Sequence, residues 1–84
     1  MKTTSHTVNA SPMAIATARQ FASRTIYVDP GAQDIYIGGS DVTTTTGVKL
    51  RKNDITEIIL PPNEALYAIS GTGAHTVLVL EPTT

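Results

Sequence analysis

The sequence has no cysteine and no tryptophan, one phenylalanine, three tyrosines and two histidines. Without cysteine there are no disulfides and no thiolate metal sites, and His6 and His75 are too far apart to show ligand spacing. The absence fits a reducing compartment. So few aromatic residues leave little capacity for stacking on sugar rings. Charge is sparse too: six basic residues against seven acidic ones, a net −1. That balance argues against a nucleic-acid partner, because phosphate binding is driven by clustered Lys and Arg. No apolar run approaches the roughly 20 residues that span a bilayer, and residues 1–10 lack the apolar core of a signal peptide. The expectation is a soluble chain with no membrane partner, no cofactor and no metal.

With 84 residues there is room for one domain only. A domain this small hides about 60–65% of the surface its unfolded chain exposes, so its stability is marginal. Disulfides, metals and oligomerisation are the usual remedies. The first two are excluded above, which leaves self-association or docking onto a larger body. The charges are also unevenly placed. Before Asp29 stand Lys2, Arg19 and Arg24 with no acidic residue; from Asp29 onward seven acidic residues face Lys49, Arg51 and Lys52. Two readings stay open: chance in a short chain, or a basic edge, with Arg19 and Arg24, that meets an acidic neighbour.

Short apolar runs punctuated by turn residues fill the rest. Residues 1–5 read as a loose polar tail, and residues 6–84 as one β-domain. Residues 7–10 and 13–18 are weak strands separated by Pro12, which belongs at a strand start or an edge. In residues 13–23 (MAIATARQFAS) a partial helical stripe through Ile15, Ala18 and Ala22 competes with an extended conformation, and the extended reading is preferred. Strands are expected at residues 24–29, 35–37, 48–51, 55–60, 66–70 and 76–80. Between them lie the turn signals Pro30-Gly31, Gly38-Gly39, Asn53-Asp54, Pro61-Pro62 with Asn63-Glu64, and Gly71-Thr72-Gly73. The fold class is therefore all-β: a small β-sandwich or β-barrel of about seven or eight short, mainly antiparallel strands. Residues 77–80 are apolar at every position, although a sandwich strand needs only one apolar face. The second face is covered either by the N-terminal segment or by another subunit, which makes Leu78 and Leu80 candidate contact residues.

Catalytic constellations are thin, and no enzyme is expected. Asp29 and Asp34 flank a Pro-Gly turn, read as a hairpin tip, where Asp is favoured for its own turn-forming hydrogen bonds. His75 follows a Gly-Thr-Gly turn, also read as a hairpin, and no serine or cysteine nucleophile accompanies it. The segment 35–50 (IYIGGSDVTTTTGVKL) carries one carboxylate, Asp41, among hydroxyls, poor provision for calcium, which takes six to eight oxygens. It reads better as a shaped loop between two strands. Gly38 or Gly39 takes a positive φ, and Ser40 and Asp41 tie the loop to the backbone. Thr43, Thr44, Thr45 and Thr46 lie at the surface. The loop from Ser40 to Thr46 is the candidate contact within this segment.

Three segments in this order, IYIGGSDVTTTTGVKL, LYAISGTG and VLVLE, resemble a family of small tailed-bacteriophage virion proteins. Its pattern is "VYIGGSDVTxxxGxxL", then "LYAI", then "VxVLE". The resemblance covers roughly residues 24–81; residues 6–23 depart most from the pattern and are the place for a docking segment. It implies a capsid decoration (cement) protein that binds the outer head surface, bridges capsomers and stabilises the shell without catalysis. Its partners would be the major capsid protein or another virion structural protein and further copies of itself, with a trimer favoured. Arg19 and Arg24 would meet an acidic shell. Localisation would be the virion head surface, after assembly in the host cytoplasm. A neck, tail or head-fibre component with host-surface binding is the alternative.

Overall fold

The computed structural model describes residues 1–19, 23–71 and 73–82. Eight strands form among them: β1 (Lys2–Val8), β2 (Met13–Ala16), β3 (Arg24–Asp29), β4 (Ile35–Gly38), β5 (Val48–Leu50), β6 (Thr56–Leu60), β7 (Leu66–Ser70) and β8 (His75–Glu81). They make two four-stranded sheets, sheet A in the order β1-β8-β3-β6 and sheet B in the order β2-β7-β4-β5. Every pairing is antiparallel. The all-β class expected from the sequence is the one observed, and of the two architectures left open, sandwich or barrel, it is a two-sheet sandwich.

Successive strands change sheet at every connection except β4–β5. The pairs β1·β8, β2·β7, β3·β6 and β4·β5 nest one inside the next, as in a long hairpin whose tip is the loop 39–47. Two further ladders, β3·β8 and β4·β7, close the roll. This strand order is that of a jelly roll. It corrects two readings of the sequence. The Pro30-Gly31 and Gly71–Gly73 connections are not hairpins but arches that carry the chain from one sheet to the other (residue 72 lies outside the described residues).

Strand alternation puts Val8, Val77, Val79, Ile26, Val28 and Leu60 on the inner face of sheet A. Opposite them, from sheet B, lie Leu66, Ala68, Ile35, Ile37 and Leu50, with Ile15 and Ala16 of β2. All are buried, and Val8, Ile26, Val28, Ile35, Ala68, Val77 and Val79 have no exposed surface. β-Branched residues dominate because they fit a pleated, half-buried surface with few rotamers to lose. Turns fall where left-handed backbone is tolerated: Gly31 (φ 75), Asn53 (φ 59), Asn63 (φ 64) and Gly73 (φ 61).

Of three further expectations, one changes, one holds over the described part of its range and one loses an alternative. Residues 1–5 are no loose tail: Lys2 to Ser5 pair with Glu81 to Leu78 in the β1·β8 ladder. The physical reason is β8, whose backbone would otherwise be an open edge beside the strongest apolar run in the chain. In residues 13–23 the extended conformation holds for Met13–Ala16, and residues 20–22 lie outside the described residues. Finally, β1 covers the edge of β8 and not its outer face, so Leu78 stays 41% exposed.

Candidate functional site

The outer face of sheet A is built by cross-strand register. One row runs Thr3, Leu80, Tyr27, Glu57, and the next Ser5, Leu78, Asp29. Ile59 sits opposite Thr25, and Ile55 precedes β6 on the same side. Thr3, Tyr27, Asp29, Ile55, Leu78 and Leu80 line a groove of about 320 Å³. Ile55 and Ile59 are 63% and 67% exposed. Large apolar side chains standing together on a solvent-facing sheet mark an interaction surface.

The outer face of sheet B is finished differently. Loop 39–47 folds back over it, seating Val42 on Gly38 and Gly47. A Cβ at Gly38 would come within 2.9 Å of Val42 Cγ2, and one at Gly47 within 2.7 Å of Tyr36 Cβ. Val42 is buried, and so is Ile69, which alternation places on that outer face. The glycines are thus required for close approach. Neither Gly38 nor Gly39 has a positive φ, which corrects that expectation.

The residue that ties the loop is Thr43. Its Oγ1 accepts from the N–H groups of Thr45 (3.2 Å) and Thr46 (3.1 Å), while its own N–H donates to Thr46 Oγ1 at 3.1 Å. This reciprocal arrangement resembles a helix capping box built into a single turn, and Gly47 N–H closes it on Thr43 O at 2.8 Å. Ser40 and Asp41, expected to hold the loop, are exposed and make no side-chain hydrogen bond among the described residues. The hydroxyl that holds the turn therefore lies two residues beyond Asp41, and Thr44 and Thr45 remain as the solvent-facing tip.

At one end of the sandwich Arg24, on the inner face of sheet A, is 7% exposed. Its Nη2 donates to Thr17 O. Its Nε lies 3.8 Å from Glu81 Oε2, and Arg19 Nη2 donates to Glu81 Oε1 at 3.4 Å. The two arginines read as a basic contact edge are therefore turned onto the acidic residue that ends β8. Attraction in a partly dehydrated interior draws them there, and the carboxylate is supplied by this chain and not by a neighbour.

At the other end lies a polar groove of about 270 Å³, lined by Gln33, Asp34, Tyr36, Lys52 and Gly71. Asp34 Oδ1 accepts from Lys52 N–H at 2.7 Å, and its Oδ2 is 3.5 Å from Lys49 Nζ. The backbone bond from Lys52, helped by the nearby ammonium of Lys49, holds the Asp34 carboxyl below its ordinary 3.8. Asp29 is engaged separately, accepting from Gly31 N–H at 3.0 Å. The two carboxylates thus hold different turns. Among the described residues no group of three His, Asp or Glu is placed to hold a metal ion.

The candidate residues are thus split three ways. Leu78 and Leu80 share a groove on sheet A, Ser40 to Thr46 lie beyond sheet B, and Arg19 and Arg24 are tied up at one end. Sequence reading missed Ile55 and Ile59 as members of the sheet A face. The adjacent pair Ile58-Ile59 was the available signal, since consecutive apolar residues in a strand demand cover on both sides. Neither family models, nor curated proteins, nor solved structures yield a match to this chain.

Three outcomes are expected. Arg24→Met leaves Glu81 short of a buried partner and destabilises by about 3 kcal/mol, and adding Glu81→Leu recovers most of the loss; denaturant titration of the two singles and the double measures it. Thr43→Ala costs about 1 kcal/mol, as for lost caps, while Thr45→Ala stays within about 0.5 kcal/mol, read by the same titration. Asp34 gives a pH signature. Its folded pKa lies below the unfolded value, so its stabilisation is present above 3.8 and is lost as pH falls through the folded value. Asp34→Asn is therefore less stable than the parent at neutral pH, and thermal melts of the two converge on acidification below 3.8.

Proposed function

We propose that this chain is a non-catalytic attachment module that docks through the outer face of sheet A onto the outside of a larger protein shell, as a bacteriophage head decoration protein does on the major capsid protein. The observation that carries the reading is the contrast between the two faces. The chain closes the outer face of sheet B with its own loop 39–47 and leaves Ile55, Ile59 and Leu78 exposed on sheet A, beside the half-buried Tyr27 and Leu80. The Cα envelope measures 35 × 23 × 16 Å. One broad face is then roughly 800 Å², the area each partner contributes to a standard stable interface.

Two further points support it. The sequence pattern of residues 35–50, 66–73 and 77–81 resembles phage virion proteins. The jelly-roll strand order occurs in viral capsid domains, and also in lectin domains and cupins, so it agrees with the reading by analogy of fold and does not select it. Docking would also supply the stabilisation that so small a core lacks, because a partner that binds only the folded state adds to its stability by mass action.

The test is made on virions. Particles assembled with Leu78→Glu, or without the chain, should lose resistance to heat and low salt, and labelled wild-type chain should lie over the head surface. Leu78 is 41% exposed, so the variant is expected to fold on its own. Unchanged particles, or label confined to a ring at one vertex, would overturn the reading, the second in favour of a neck or tail component.

A further inference from the structure

Four strands end the two sheets, and three of them carry features that discourage pairing with another chain. β1 begins at Lys2 and is polar as far as Thr7, with Val8 alone in the core. β2 follows Pro12 and contains a register shift between Ala14 and Ala16. β5 is three residues long, holds Lys49 and runs into Arg51 and Lys52. These are the devices by which proteins blunt an edge. β6 has fewer of them: a single charge, Glu57, and Pro61 just past its end. Its five residues, TEIIL, pair in regular register with β3 on one side. Among the described residues nothing is hydrogen-bonded on the other. It has no Lys, Arg, Pro or bulge, and Ile59 is 67% exposed. Its inner side is incomplete as well: Ile58 faces the core yet is only partly buried.

We propose that β6 is a self-pairing edge, on which a second copy of this chain adds its own β6 antiparallel across a two-fold axis. The free backbone N–H and C=O groups require an extended strand as occupant, and the side chains favour β6 itself. In full register, Thr56–Leu60 against Leu60–Thr56, the strand centres on Ile58. The two Ile58 residues then meet on the inner face, and on the outer face Glu57 of each copy faces Ile59 of the other. The two carboxylates are thus never opposite one another, and each exposed isoleucine gains cover. Pro61, which cannot donate to a ladder, stops the pairing after five residues. The contact is isologous, so it closes at two copies. Sheet A becomes one eight-stranded sheet, β1-β8-β3-β6-β6-β3-β8-β1, with both apolar outer faces on the same side. This is a two-fold pair, unlike the trimer implied by the family resemblance. It does not depend on what that face docks onto.

Five residue pairs place the contact among small, transient interfaces, below about 1,200 Å² in total, so dimerisation is expected in the micromolar to millimolar range. Sedimentation equilibrium from about 10 µM to about 1 mM should show a reversible monomer–dimer equilibrium. Ile59→Glu sets a carboxylate against Glu57 of the other copy and should weaken association about tenfold. Ile59→Lys sets an ammonium there and should dimerise at least as well as the parent. Both changes are at an exposed position, and the circular dichroism of dilute samples verifies the fold. Because the chain has no cysteine of its own, mixing Glu57→Cys with Ile59→Cys should give the mixed disulfide in clear excess over the two homodisulfides. A chain that stays monomeric to the highest concentration, equal weakening by both Ile59 variants, or a statistical mixture of disulfides would each overturn the proposal.

Discussion

The ladder between β3 and β8 closes the molecule. Only Tyr27–Leu80, Val28–Val79 and Asp29–Leu78 are paired in it. Yet it joins the outermost pair of the roll, β1·β8, to the β3·β6 pair, and without it sheet A would be two separate ribbons. A two-stranded ribbon is marginal in water. The same register that sets Val28 beside Val79 over the core also sets Tyr27 beside Leu80 and Asp29 beside Leu78 on the outside. Core and apolar outer face are therefore two sides of one set of backbone bonds, and a one-residue slip would exchange them. Because the pairing joins residues about fifty positions apart, loop-closure entropy opposes it until the inter-sheet core rewards it.

The two outer faces show how the chain divides its apolar surface. On sheet B the loop 39–47 returns over Tyr36 and buries Val42, on the face where Ile69 is also buried. Glycine at positions 38 and 47 lets it lie that close, and Thr43 holds its turn. On sheet A no segment among the described residues returns over the face. The buried ion cluster of Arg24, Arg19 and Glu81 lies at the end where β8 finishes and β3 begins. It couples those two strands through side chains where their ladder runs out. A buried arginine with Nε and Nη1 short of hydrogen bonds is a weak source of stability.

Much of this was legible in the residues. Alternation in RTIYVD and IYIG gave the right strands with the right inward faces, and the turn signals at Gly31, Asn53, Asn63 and Gly73 fall where the backbone is left-handed. The excess apolar character of VLVL also pointed to a surface needing cover. Less legible was which segment supplied that cover. Residues 1–5 read as a loose tail because they are polar, while the strand that pairs with Lys2 to Ser5 lies more than seventy residues away. The arginines misled for a related reason: a count of charges along the chain gives no sign that Glu81 returns to meet Arg24.

What the sequence by itself determined was local: extended conformation, turn positions, the inward side of the strands that alternate, and the absence of thiol chemistry. These follow from backbone sterics and from a two-residue period, which act over a few neighbours. The tertiary structure alone decided the nesting of the strand pairs, the arches in place of hairpins and the capture of Arg19 and Arg24. It likewise decided which apolar side chains remain outside. Those depend on which strand lies beside which, a choice made by burial and register between segments far apart in the chain, and no local pattern records it.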